Sequence, residues 1–292
     1  MDKTPTLAAS VEGYWNSFEN PGSLRGYRYE WQRYRDWLEH CNIDVLEAKP
    51  RDVKAFTVYL RDVKQSRSVC SRALSVVRTV YGVLVVDGLL EVNPAREVKS
   101  IKVDSTPKAT YLETEEALVH FLTTAIHGDE WHKRRARLCL YMLAFLGWRR
   151  FEVAASRIED FSGDTATHVV KGGKIATVGL PAVLQTEIAS WRAFAGLGTK
   201  GALVPRSPKD SRSVSGKIVY EIVKAVARRA GQDISPHGLR RTFVTLGRKI
   251  GADLHQLQRA VSHSSITTTE RYDKGSATGA PGQQLAETIF KK

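Results

Sequence analysis

Four polar residues near the C-terminus have types and spacings that could act on a phosphate ester: His237, Arg240, His263 and Tyr272. Ser235 suits a helix N-cap and Pro236 the first helical position. His237 and Arg240 then lie three residues apart, roughly 60° around one helix, and face the same way. Both fall in the first turns, where unpaired N–H groups and the helix dipole favour an anion. His263 follows in a polar turn, Ser262–Ser265, and Tyr272 comes nine residues later, on a short helix expected to be capped within Thr267–Thr269. A phosphodiester is an unactivated, negatively charged electrophile. Cleaving it without a metal needs cations against its non-bridging oxygens, which paired guanidiniums supply. It needs a nucleophile, and a phenol with a pKa near 10 needs help in losing its proton. It also needs an acid for the leaving oxygen. A solitary His-x-x-Arg is more often a solvated helix face, and a solitary Tyr more often packing. The constellation matters, not its members.

The run HGLRRTF, then SHSS, then TTTERY resembles the C-terminal signature of the tyrosine recombinases, or phage integrase family: H-x-x-R, a second His preceded by Gly, and a nucleophilic Tyr nine residues on. Ser262 stands where that Gly is usual. Upstream, GWRRFEVAASRIEDF resembles the family's G-L-R-x-x-E motif, with Arg149 at the catalytic arginine, Glu152 at its acidic partner and Arg150 at a position usually apolar. THVVKGGKIATVGLP resembles the family's β-hairpin. Lys171 matches its catalytic lysine, with Lys174 as the alternative. The resemblance thus implies a catalytic set of Arg149, Lys171, His237, Arg240, His263 and Tyr272, supported by Glu152. It further implies attack by Tyr272 to give a 3′-phosphotyrosyl link, strand exchange through a Holliday junction, and no ATP, cofactor or metal. Two other readings stay open. One is a DNA-binding accessory protein without chemistry; the other is a type IB topoisomerase relaxing DNA as a monomer.

The elements that must position these residues can be read in chain order. Leu7–Phe18, 23–41 and 50–64 and then 66–86 read as four helices. In the second, Leu24, Tyr27, Trp31, Tyr34 and Leu38 form one apolar stripe. In the fourth, Val69, Ala73, Val76, Val77, Val80 and Leu84 point inward. A domain of this kind, residues 1–98, resembles the family's N-terminal core-binding (SAM-like) domain. Arg25, Arg28, Arg67 and Arg72 are its DNA-binding candidates. Residues 99–110 read as a linker whose Lys99 and Lys102 could neutralise phosphates. Residues 111–292 read as a mixed α/β catalytic domain with a small β-sheet: helices over 115–126 and 133–146, the hairpin within 167–181 as the clear strand pair, a helix over 184–194, a loop over 196–215, and a helix over 214–229. The expected fold class is therefore mainly α. A short amphipathic tail helix, 283–290, carries Leu285, Ile289 and Phe290. The resemblance implies docking on a neighbouring protomer in trans, within a homo-tetramer on two DNA sites with inverted half-sites; docking in cis competes.

Composition sets the outer limits. The chain has 292 residues, 44 Lys and Arg against 31 Asp and Glu, and a net charge of +13, which points to a polyanionic partner such as duplex DNA. The three cysteines, at 41, 70 and 139, have neither disulfide nor metal spacing. With no signal-peptide pattern and no membrane-length apolar run, a cytoplasmic location is expected. Phage integration, transposition and dimer resolution are not distinguished at this level.

Overall fold

The computed structural model describes residues 5–19, 21–102, 110–169, 175–261 and 281–290. It divides into two compact units, Met1–Thr106 and Pro107–Lys292.

The first unit is four helices, α1 (Leu7–Asn16), α2 (Pro21–His40), α3 (Pro50–Asp62) and α4 (Arg67–Val86). The other three all pack on α4. Ser66 caps α4 by accepting from the Val69 amide. Cys70, Ala73, Leu74, Val77, Val80 and Leu84 are buried along it. α4 is also the one described helix long and apolar enough to cross a membrane by composition, and here that apolarity serves the core. The Tyr34 and Tyr81 hydroxyls meet at 3.1 Å inside that core, and Tyr81 donates to the Val45 carbonyl. α2 begins at Pro21, two residues before the cap expected at Ser23, because Pro is well placed in a first turn. Val98 and Ile101 pack against this unit's core, so the chain leaves it later than residue 98.

The second unit is built around α6 (Glu130–Leu146), whose residues from Leu138 to Leu146 are nearly all buried. α6 begins before the expected Lys133 because the Asp129 carboxylate caps it through the His132 amide. Before it lies α5 (Glu115–Thr123), and after it α7 (Arg150–Ala155). A three-stranded antiparallel sheet follows: β1 (Phe161–Ser162), β2 (Thr165–Val169) and β3 (Ile175–Gly179). β2 and β3 run in register from Thr165 opposite Gly179 to Val169 opposite Ile175. The expected hairpin is present, with β1 added at its edge; the turn carrying Lys171 and Lys174 lies outside the described residues.

α8 (Ala182–Ala195) is followed by a second hairpin, β4 (Pro205–Ser207) with β5 (Asp210–Ser213). That stretch reads in the sequence as loop. The strands are three and four residues long, so no alternating pattern has room to develop. α9 (Gly216–Arg229) and α10 (Pro236–Lys249) pack against α6, and α11 (Leu254–Ala260) packs against α10 and β3. The described part of the chain resumes at α12 (Pro281–Phe290).

α12 rests on its own chain, against α6, α10, α11 and β3, with Leu285, Ala286 and Ile289 buried. A Cβ at Gly282 would come within 2.0 Å of the Phe145 carbonyl oxygen, so the helix start lies directly on the α6 backbone. In the single chain α12 docks in cis. The fold is mainly α with two small sheets.

Candidate active site

Gly147 ends α6 in the left-handed region, at φ +63°, and a side chain there would strike Phe243 and Val261. This turn does three things at once. It stops the core helix, it buries Trp148 completely, and it starts α7 with Arg149 as the residue before the helix. Glu152 in the first turn of α7 accepts from the Arg149 backbone amide through Oε2 at 2.6 Å and from Arg149 Nη1 through Oε1 at 2.7 Å. One carboxylate thereby caps the helix and holds the guanidinium beside it.

The second arginine comes from α10. Ser235 caps that helix through the Gly238 amide, and Pro236 opens it, as the sequence implied. Arg240 is 3% exposed. Its Nη1 donates to the Gly147 carbonyl at 2.8 Å and lies 3.9 Å from Glu152 Oε2; its Nη2 has no partner among the described residues. Burial first, and Arg149 second, push Arg240 down to about 10, against the pull of Glu152. Its neighbour Arg241 turns away and lies over the Tyr111 ring, 4.0 Å from the centroid.

His237 stands exposed at the mouth of this cluster. Partial desolvation, then Arg240, Arg149 and Arg241, hold its pKa below the usual value, so the ring is neutral near pH 7 and can accept a proton. Arg149, His237 and Arg240 line one pocket of about 230 Å³ together with Arg150, Phe151, Tyr220, Ser235 and Pro236. Two guanidiniums, one partly neutralised, beside a neutral imidazole at a helix N-terminus form an anion site suited to phosphate. Among the described residues no group of His, Cys, Asp and Glu could hold a metal ion.

Of the residues singled out from the sequence, the structure brings together Arg149, Glu152, His237 and Arg240. Lys171, Lys174, His263 and Tyr272 lie outside the described residues. Arg150 diverges from Arg149 and lies over the rings of Phe151 and Tyr220, at 4.7 and 5.5 Å from their centroids.

His168 has no counterpart in the sequence reading. It is buried on the inner face of β2, its ring 4.5 Å from that of Trp148. Neither ring nitrogen has a partner among the described residues, and the Trp148 indole N–H has none either. Desolvation lowers its pKa, as do Arg240 and Arg149, while Glu152 raises it. The available signal was the alternation of THVVK, which puts residue 168 on the same side of the strand as Ala166.

The DNA-binding candidates of the first unit, Arg25, Arg28, Arg67, Arg72, Lys99 and Lys102, are all exposed. Two of them show how such side chains are held. Arg28 contacts Glu12, and Arg72 donates through Nε and Nη2 to the buried Glu30. Arg78, also on α4, is structural and donates to the carbonyls of Ala95 and Val98.

The sequence profile of the phage integrase family matches residues 110–278, over half of the chain and all of the pocket just described. The chain belongs to that family. Among curated proteins, tyrosine recombinase XerD of Mycobacterium tuberculosis is 28% identical over 290 residues, covering 91% of this chain and 93% of that protein. Tyrosine recombinase XerA of Thermococcus kodakarensis is 25% identical over 260 residues, covering 88% and 86%. Among solved structures, residues 75–356 of lambda integrase, as a dimer bound to a COC′ core site, share the fold with a TM-score of 0.72 at 14% identity. That match covers 93% of this chain and 99% of that one. Lambda integrase as a tetramer on a Holliday junction gives the same score, covering 92% and 79%. Tyrosine recombinases break and rejoin DNA, and site-specific DNA recombination is the activity of this chain.

Proposed function

We propose that this tyrosine recombinase cleaves DNA with Tyr272 as nucleophile and with Arg149 and Arg240 holding the scissile phosphate. The observation that carries the reading is the pocket in which both guanidiniums converge with His237. Each arginine offers paired N–H donors to the non-bridging oxygens, where charge grows in the transition state. Neutral His237 takes the phenolic proton or donates to the phosphate. His263 supplies a second donor, and Lys171, with Lys174 as alternate, protonates the leaving 5′-oxygen. The products are a 3′-phosphotyrosyl bond and a free 5′-hydroxyl. Attack by that hydroxyl on the phosphotyrosyl of a partner duplex regenerates the phenol, so the phosphoester energy is kept and no ATP is consumed. Two such exchanges pass through a Holliday junction. Glu152 holds Arg149 and, through it, the phosphate.

The working assembly in this reading is a cytoplasmic homo-tetramer on two sites of inverted half-sites. α12 leaves its own chain's groove there and fills the same groove on a neighbour. The apolar, self-contained helix and the 19 residues between Val261 and Pro281 support such an exchange. Trapping on a nicked duplex tests the chemistry. The intact chain forms a covalent protein–DNA band, Tyr272→Phe forms none while still retaining the duplex, and Arg149→Ala or Arg240→Ala each slow band formation by about 10²- to 10³-fold. A band of undiminished yield with Tyr272→Phe moves the nucleophile to another residue.

A further inference from the structure

Beside the arginines, the pocket has a wall of different chemistry. Phe151 is 61% exposed, yet it is not loose. Its ring lies on the backbone at the first turn of α9, where a Cβ at Gly216 would come within 2.5 Å of Cδ1 and 2.6 Å of Cε1. The absence of a side chain at 216 makes the seat for the ring. Arg150 lies over the Phe151 ring and near that of Tyr220, itself exposed on α9. No carboxylate among the described residues lies within ion-pair distance of Arg150, whereas Arg149 has Glu152 and Arg240 has the Gly147 carbonyl. Two aromatic faces thus hold a guanidinium in place while leaving its N–H donors uncommitted among the described residues.

Seated on Gly216 by one face, the ring still leaves most of its surface open to water beside a phosphate site. It suits a ligand that alternates apolar rings with anions along one strand, as DNA does. The pocket's lining is cationic and the chain as a whole carries +13, so the complementary occupant is a polyanion. We propose that Phe151, Arg150 and Tyr220 form a nucleotide subsite next to the scissile phosphate, with Phe151 against the sugar and base of the flanking nucleotide and Arg150 on the adjoining phosphate. This rests on the scissile phosphate occupying the pocket between Arg149 and Arg240. Phe151 and Arg150 are then positioning residues: they fix the strand so that the phosphate meets the reacting groups.

The experiment uses the full chain and a nicked duplex selected from a randomised pool by retention on Tyr272→Phe. Single-turnover cleavage is measured for the intact chain, Phe151→Ala, Phe151→Leu and Arg150→Ala. Each is tested on the unmodified duplex, on duplexes with an abasic residue on either side of the scissile phosphate, and on duplexes with a neutral methylphosphonate at either adjoining phosphate. Phe151→Ala slows cleavage of the unmodified duplex roughly tenfold, the size of one aromatic–base contact. One of the two abasic duplexes slows the intact chain equally and slows Phe151→Ala no further. Phe151→Leu keeps an apolar surface and falls between. Arg150→Ala shows the same loss of additivity with one of the methylphosphonates. Thermal melts of all three variants stay close to that of the intact chain, because Phe151 is exposed and the half-buried Arg150 has no ion pair among the described residues to lose. Losses that simply multiply on every modified duplex overturn the subsite and leave the recombinase reading standing. An intact chain that forms no covalent band on any duplex overturns both.

Discussion

Glu152 is the residue on which the local chemistry turns. Its two oxygens cap α7 and hold Arg149, and the same carboxylate faces Arg240 and raises the proton affinity of His168. His168 therefore sits among three charged groups, Glu152, Arg149 and Arg240, with burial the largest influence on its pKa. The folded chain resists protonating this ring, whereas the unfolded chain takes up a proton near pH 6.5. The unfolded state binds more protons in that window. The stability contributed by neutral His168 is thus fully present above about pH 6.5 and is lost as pH falls below it, toward the lower folded value. His237 has the same sign. The expected result is a melting temperature that falls between about pH 7.5 and pH 5, and falls less in His168→Leu. Calorimetry at the two pH values measures this; an equal fall in both proteins would show that the ring titrates freely.

At the scale of elements, what the sequence made legible is what local chemistry decides. α10 could be placed because Ser235 and Pro236 specify a helix start through a cap bond and a missing N–H. The β2–β3 hairpin could be placed because alternation and a Gly pair coincide. What stayed hidden depends on the far side of a contact. Nothing near His168 in sequence says that Trp148 lies against it, and nothing near Phe151 says that Gly216 lies beneath it. The β4–β5 hairpin was hidden because its strands are shorter than one period of reliable pattern. α12 is the clearest case. Its apolar strip was evident at Leu285, Ile289 and Phe290, but a strip does not name its partner. The structure supplies one, the chain's own α6 and α10. Leu285→Ala is accordingly expected to lower the unfolding free energy of the unassembled protein by about 2–5 kcal/mol, as for other buried leucines, in urea melts. If α12 also exchanges between protomers on DNA, the same substitution weakens cooperative binding to two half-sites more than binding to one. Equal weakening of both would remove the exchange.

At the scale of the whole molecule, charge is the dominant property. Forty-four basic residues against 31 acidic ones are spread over both compact units, and several of the exposed arginines of the first unit stand on helices α2 and α4. If each chain neutralises on the order of ten phosphates, the logarithm of the binding constant falls against the logarithm of salt concentration with a slope of roughly −0.9 per phosphate. Filter-binding isotherms across salt concentrations read this slope directly. A slope near zero would mean that the basic surface does not carry DNA. The internal pairs Arg28–Glu12 and Arg72–Glu30 reduce what those two arginines add to it.

The Arg149–Glu152 pair has one more consequence, for how the site tells small phosphates from DNA. Orthophosphate and free nucleotides carry the same oxygens as the scissile group and far outnumber any recombination site. A bare pair of arginines would be a sink for them. Glu152 is a competitor tethered 2.7 Å from Arg149 Nη1, present at an effective concentration that no dissolved anion approaches. A lone phosphate meets the remaining N–H groups with one set of contacts, weakened by the carboxylate's negative charge. A duplex adds contacts elsewhere on the chain and binds those same N–H groups while Glu152 keeps Nη1. The carboxylate therefore acts as a filter on size: it weakens the site for small anions without releasing Arg149.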